Sequence, residues 1–305
     1  MNKIPQFLKK GDTIGITCPA GAVNLDEMQD MFNQLEAWGY KLKIGKTVGS
    51  RFYKFSATDE ERRNELQTFL DDDSIKAILF GRGGYGVVRI IDQLDFTQFE
   101  KKMKWLVGYS DITCLHSHIQ TQFNIVTIHA HMGSGYRKEN QDLFSTVQIN
   151  EVLCGMPVDY SIEAHEMNRL GSCNGILTGG NLALISDLIG TKSDIDTTNK
   201  ILVIEDIGEY KYNIDRMMWQ LARSGKLENL AGLIVGSFTD TLDNEVPFGL
   251  SVNEIIFEKV KSYHYPVCFN FPIGHQPLNY PLKLGIQYEL SVTQDGVKLY
   301  ENNFL

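Results

Sequence analysis

The first half of the chain alternates short apolar runs with longer stretches whose apolar residues recur at helical spacing. Thr13 to Thr17 reads as a strand, closed by Pro19-Ala20-Gly21. Leu25, Met28, Met31, Phe32, Leu35 and Trp38 then fall on one helical face, and Gly39 stands where a helix would end. Tyr40 to Ile44 is a second strand. Thr58 and Glu61 have capping-box spacing and open a helix whose apolar face includes Leu66, Phe69 and Leu70. Ile75 to Phe80 reads as a buried strand, Val87 to Ile91 begins a helix, and Trp105 to Tyr109 is the next strand. Asp111 to Gln122 follows as a helix and Ile125 to His129 as a strand. This order predicts an α/β fold with a mostly parallel sheet covered on both faces.

The pattern weakens from Gln141 to Asn174, where Cys154-Gly155-Met156-Pro157 and Leu170-Gly171-Ser172 are rich in turn formers. Beyond it come Gly175 to Asn181, a helical run from Leu182, a strand over Ile201 to Ile204, a helix around Asp215 to Ser224, and a strand over Leu233 to Val235. Short alternating strands close the chain at Tyr288 to Val292 and Val297 to Tyr300. The expected organisation is an N-terminal α/β domain over residues 1–150, a crossover over 151–173, and a C-terminal α+β domain with β-barrel character over 174–305.

Composition narrows the function classes. A formal charge of −9 over 305 residues argues against a nucleic-acid partner, which needs a basic face, yet leaves room for a small anionic ligand bound by one arginine. The opening segment has lysines but no apolar core of a signal peptide, and no run reaches the ~18–20 apolar residues that span a membrane. Cys18, Cys114, Cys154, Cys173 and Cys268 are scattered, which fits reduced thiols and a cytoplasmic location.

Four segments could carry chemistry. In Gly108-Tyr109-Ser110-Asp111 an apolar strand runs into a serine and a helix starts at once. That geometry exposes a nucleophile beside a helix N-terminus, although on this segment alone a helix cap is the plainer reading of Ser110. Gly81-Arg82-Gly83-Gly84-Tyr85-Gly86 satisfies G-x-G-x-x-G, but strands precede it, so a tight turn, an oxyanion loop and a nucleotide site all stay open. Glu205 and Asp206 end an apolar strand, where alternation lets only one of them face a given cleft; a solvated strand end is the plainer reading. His275 follows Pro272 and Gly274 on a loop that could project it into a cleft or leave it exposed. His129 and His131 share a strand face but lack a third ligand at a metal-site spacing, and His116 and His118 do not share a helix face.

Taken together, Gly81 to Gly86, Gly108 to Asp111, Gly179-Gly180-Asn181-Leu182, Ile204 to Glu209 and Pro272 to His275 resemble, in order, the motifs of the LD-carboxypeptidase family, which includes the microcin-immunity peptidases. Ser237 to Asp240 and Lys9 to Ile14 fit as well. The resemblance implies an N-terminal domain of the flavodoxin or class I glutamine amidotransferase type and a C-terminal domain with barrel character. It implies Ser110 as nucleophile, Glu205 as the acidic member and His275 as the base of a catalytic triad. Backbone N–H groups of Asp111, Gly83 and Gly84 are candidates for the oxyanion hole, and Arg82 for the substrate's terminal carboxylate. An alternative role for Arg82 is to hold the glycine loop through backbone carbonyls.

The implied substrate is a murein tetrapeptide that loses its terminal D-alanine, with no cofactor and no metal, and the resemblance is compatible with a homodimer. A microcin-immunity-like peptidase acting on peptidyl-nucleotide conjugates would keep the same triad. A non-catalytic two-domain binding protein would leave the three residues apart, and a nucleotide-dependent oxidoreductase would use the glycine loop.

Overall fold

The computed structural model describes residues 2–140 and 143–302; Gln141, Asp142 and the two ends of the expected domains, residue 1 and residues 303–305, lie outside the described residues. In chain order the elements are β1 (Thr13–Thr17), α1 (Gln29–Ala37), β2 (Lys41–Ile44), α2 (Asp59–Asp71), β3 (Ile75–Phe80), α3 (Thr97–Lys101), β4 (Trp105–Gly108), α4 (Thr113–Phe123), β5 (Thr127–His129) and α5 (Phe144–Leu153). There follow β6 (Asp159–Ile162), β7 (Gly171–Asn181), α6 (Leu182–Asp187), β8 (Lys200–Ile207), α7 (Lys211–Arg223), β9 (Gly232–Thr239), α8 (Val252–Val260) and β10 (Val267–Cys268). The chain ends with β11 (Leu282–Leu284), β12 (Gln287–Val292) and β13 (Val297–Glu301). These elements form two units: Met1–Met156 with Pro277–Lys283, and Pro157–Gln276 with Leu284–Leu305.

In the first unit, β2-β1-β3-β4 pair in that order and in parallel, β5 follows in parallel, and β11 lies at the far edge beside β5. Ile14, Ile16, Ile78, Phe80, Leu106 and Val107 are fully buried, as unbroken apolar runs in a doubly covered sheet require. Each such side chain contributes about 1.5–3 kcal/mol relative to exposure. The capping box of Thr58 and Glu61 forms at the start of α2. Gly39, at φ 94°, ends α1 with its N–H on the Glu36 carbonyl.

Two expectations change, one in this unit and one where the two units divide. Val87 to Ile91 is not a helix but a pair of 3-10 turns, Val87–Arg89 and Ile91–Gln93, because Gly86 turns the chain at φ 145° and Asp111 takes the Val87 N–H. The stretch expected as a crossover contains the end of α5, all of β6 and the start of β7. The helix α5 escapes a periodicity reading because it buries Ser145 and Thr146 together with Ile149, Val152 and Leu153.

The second unit has one sheet of order β10-β9-β8-β7-β12-β13-β6. Strands β7 to β10 are parallel, and β12, β13 and β6 add on antiparallel. The sheet has two ends, β10 and β6, so the expected barrel closure is replaced by an open mixed sheet. Leu182 of α6, Ile214, Met218 and Leu221 of α7, and Ile255 and Ile256 of α8 pack on Leu202, Ile204, Leu233 and Val235 of the sheet. A second capping box, Ser251 with Glu254, opens α8. Among the described residues no helix is long and apolar enough to cross a membrane.

Candidate functional site

The serine lies in the first unit, at the carboxyl end of β4. The Gly108 carbonyl that ends this strand accepts a hydrogen bond from His116 Nε2 (2.9 Å); burial holds that imidazole down at about 4, so it is neutral and carries its proton on Nε2. Tyr109 is extended, and Ser110 then turns into the left-handed region at φ 61°. A residue with a Cβ enters that region at a cost of ~1–3 kcal/mol, which the surrounding structure must offset. A 3-10 turn over Ser110–Ile112 leads directly into α4. The backbone is thus tighter than a simple cap requires: the cap residue of an ordinary helix has extended φ and ψ.

The loop after β3 lies against this serine. A Cβ built on Gly83 would stand 2.9 Å from Ser110 Cβ and 3.1 Å from its Oγ, so only glycine permits the approach. The Gly83 carbonyl accepts from Gly21 N–H (2.9 Å), joining the loop to the exit of β1. Gly84 adopts φ 100°. Arg82 is exposed and donates from Nη1 to the Ala22 carbonyl (3.1 Å), the loop-holding role weighed as its alternative. The loop runs into a 3-10 turn and not into an α-helix, so it lacks the helix N-terminus that a dinucleotide fingerprint sets against a pyrophosphate.

Two residues here have parts that the sequence did not disclose. Asp111 is fully buried, and its Oδ2 accepts from Val87 N–H (2.9 Å); burial raises its pKa to about 6, against the pull of the Val87 N–H and of Arg62. Arg62 of α2 is also fully buried. It donates from Nη1 to the carbonyls of Pro19 and Gly86, from Nε to that of Ala57, and pairs with Asp59. The available signal was a charged residue on the apolar face of a helix, one turn before Leu66.

The acid and the histidine lie in the second unit. Glu205 of β8 is fully buried, and its Oε2 accepts from His275 Nδ1 at 2.7 Å. The β8–β9 register shifts between Ile204 and Asp206, a local bulge of the kind that re-aims a side chain. Asp206 takes the opposite direction: it accepts from Asn181 Nδ2, Ala183 N–H and Ile207 N–H. Burial first, then the neighbouring Glu205 charge, raises Asp206 to about 6. His275 has a side chain 14% exposed. Its loop is pinned by Ser237, which donates from N and Oγ to the Ile273 carbonyl, and by Thr239, whose hydroxyl donates to the His275 carbonyl. Gly274, at φ 111°, passes so near the pair that a Cβ would stand 2.7 Å from Glu205 Oε2.

Among the described residues no group of histidine, cysteine, aspartate and glutamate could hold a metal ion. His131 donates from Nε2 to the Pro277 carbonyl (3.0 Å), and the rings of His129 and His131 lie 5.7 and 6.3 Å from that of Tyr109. These histidines pack behind the residue that precedes Ser110.

The LD-carboxypeptidase N-terminal domain matches residues 14–130, and the LD-carboxypeptidase C-terminal domain matches residues 174–290. A probable murein peptide carboxypeptidase of Bacillus subtilis is 31% identical over 297 residues, covering 96% of this chain and 93% of the relative. The crystal structure of muramoyltetrapeptide carboxypeptidase from Oxalobacter formigenes superposes with a TM-score of 0.86 at 26% identity, over 96% of this chain and 99% of that one. The microcin C7 self immunity protein MccF, as a single-substitution mutant in complex with adenosine monophosphate, shares the fold at a TM-score of 0.86 and 19% identity, over 99% of each chain. With both halves matched in order and a relative alike over nearly its full length, the chain belongs to the LD-carboxypeptidase family.

Proposed function

We propose that this protein is a serine LD-carboxypeptidase that cleaves the L-to-D peptide bond of murein tetrapeptides and releases the terminal D-alanine. The observation that carries the proposal is the buried Glu205–His275 pair at 2.7 Å, in a chain whose Ser110 adopts φ 61° at a strand-to-helix turn. In the proposed reaction Ser110 Oγ attacks the scissile carbonyl while His275 Nε2 takes its proton and then passes it to the leaving D-alanine amine. Glu205 keeps the second imidazole proton on Nδ1 and stabilises the imidazolium. Water, activated by the same imidazole, releases the shortened peptide from Ser110. The N–H groups of Asp111, Gly83 and Gly84 are assigned to the oxyanion, where one donor is worth ~10²–10³ in turnover. Arg82 is assigned to the terminal carboxylate, using the guanidinium nitrogens not bound to Ala22.

The strand order β2-β1-β3-β4-β5 supports a flavodoxin-type first unit. In such sheets ligands bind at the carboxyl edge where the order reverses, here beside β1 and β3, the strands that lead into Gly21 and the Gly81–Gly86 loop. The relatives' names favour a murein peptide over a peptidyl-nucleotide, since the likeness to MccF at 19% identity concerns the fold alone.

The test is incubation with murein tetrapeptide, tripeptide and a peptidyl-nucleotide conjugate, with products read by mass spectrometry. D-alanine should leave the tetrapeptide alone. Absence of release from the tetrapeptide, or release that persists in Ser110→Ala, overturns the reading.

A further inference from the structure

We propose that Asp111 and Arg62 are positioning residues that set the Gly81–Gly86 loop against Ser110; this rests on the assignment of Ser110 as nucleophile. Hydrogen bonds of Gly81, Arg82 and Gly83 tie the first part of the loop to the end of β1 and the residues after it, and Asp111 and Arg62 hold its Gly86 end. Its glycines adopt φ 100° at Gly84 and 145° at Gly86, and no side chain from Gly83, Gly84 or Gly86 can anchor it. Ordering such a segment costs backbone entropy at every residue. An oxyanion site gains its advantage by being set before the reaction, so donors on a loop that wandered would lose most of it.

Two buried charges supply the restraint. Asp111, one residue past Ser110, accepts the Val87 N–H immediately after the loop. The nucleophile turn and the loop are therefore cross-linked by one carboxylate. Arg62 reaches in from α2 and bridges the Pro19 carbonyl after β1 to the Gly86 carbonyl after β3. Its fit is close: a Cβ on Gly86 would stand 2.7 Å from Arg62 Nη1. Together the two side chains tie the exits of β1, β3 and β4. Both are 0% exposed, where an ionised group carries a heavy desolvation cost unless it is paired and hydrogen-bonded. Apolar residues could fill the space more cheaply, but they could not hold N–H and carbonyl groups at fixed positions.

The experiment compares Asp111→Asn and Arg62→Lys with wild type as full-length proteins. Asparagine keeps the shape and loses the charge; lysine keeps the charge but lacks the planar fork with which Arg62 reaches the Ala57, Pro19 and Gly86 carbonyls at once. Each should lower kcat for D-alanine release about 10–100-fold with KM within about twofold. Inactivation by a peptidyl phosphonate, whose adduct places an oxygen where the oxyanion forms, should slow by the same factor. Binding of the product tripeptide, which has no such oxygen, should stay within about twofold. Unchanged kcat in the folded variants, or equal loss of phosphonate reaction and tripeptide binding, overturns the proposal. Amide exchange of Val87 is an independent measure, since its N–H protection should fall about tenfold in Asp111→Ala, which removes the acceptor oxygen that asparagine retains, whether or not murein peptides are cleaved. Should wild type cleave none of them, the functional reading fails; unchanged Val87 exchange sinks the clamp itself.

Discussion

The serine turn and the Glu205–His275 pair are built by opposite means. Ser110 is placed by its backbone: a left-handed φ, a glycine loop pressed on its side chain, and two buried charges behind the loop. His275 is placed by its side chain, through one 2.7 Å hydrogen bond to a carboxylate that rises from a strand paired on both sides. A hydroxyl on a short side chain has little freedom of its own, so the main chain must aim it. An imidazole on a loop has two side-chain torsions to restrain, and a partner atom does that more directly.

If this contrast is right, substitutions on the two sides should fail differently. The largest losses are expected for Ser110→Ala and His275→Ala, each lowering D-alanine release by about 10⁴-fold or more, with the double variant little worse than either. Multiplying losses in that double variant would show two independent devices. Glu205→Gln should cost about 10³–10⁴-fold while leaving the fold intact, because it favours the wrong tautomer. Full activity there would separate the pair from the chemistry.

Glycine substitutions probe the supports. Gly274→Ala forces a Cβ to within 2.7 Å of Glu205 Oε2, and Gly83→Ala forces one to within 2.9 Å of Ser110 Cβ. Each should reduce turnover about 100-fold. Both should lower stability in urea unfolding through the clash, and Gly274→Ala, at φ 111°, by ~1–3 kcal/mol more through backbone strain. Equal stability losses in the two would contradict that assignment.

Each region also contains one buried aspartate, and here the two should behave alike. Burial raises Asp111 and Asp206 from 3.8 to about 6. Asp111 faces Arg62 and Lys54, and Asp206 faces Glu205. A raised folded-state value means that the stabilising share is complete below about pH 4 and is lost as pH rises through about 6. For a shift of that size the share is ~3 kcal/mol per group. Unfolding measured from pH 4 to 7 should therefore show a flatter decline in Asp206→Asn and in Asp111→Asn than in wild type. An unchanged slope in both would show that neither group titrates there. The smallest change in stability is expected for Ser110→Gly, which should raise it by ~1 kcal/mol by relieving the left-handed backbone. A fall in stability would return Ser110 to the role of a helix cap.

Much of the first unit was legible because β1, β3 and β4 are unbroken apolar runs and α2 opens on a capping box. The serine's place after β4 could be read for the same reason. Arg62 and Asp111 were not legible: burying a charge beside loop carbonyls leaves no period in the sequence. Nor could alternation alone choose between Glu205 and Asp206. It established that they diverge, and the resemblance chose Glu205. The helix α5 was hidden by its buried hydroxyls, and the open sheet of the second unit by short strands whose pairing order is not written in their patterns.

The strand β11 has a consequence for how the chain is made. Leu282–Leu284 completes the first unit's sheet at the edge beside β5, although Pro157–Gln276 of the second unit is translated before it. Until those residues leave the ribosome, Thr127–His129 presents an unsatisfied row of backbone groups to any neighbouring strand. The first unit to be synthesised thus stays open until most of the second has been made, and closing it means joining sequence positions more than half a chain apart, a slow step by loop-closure entropy. A nascent chain released early, or cut after Gln276, would carry that open edge as its aggregation hazard.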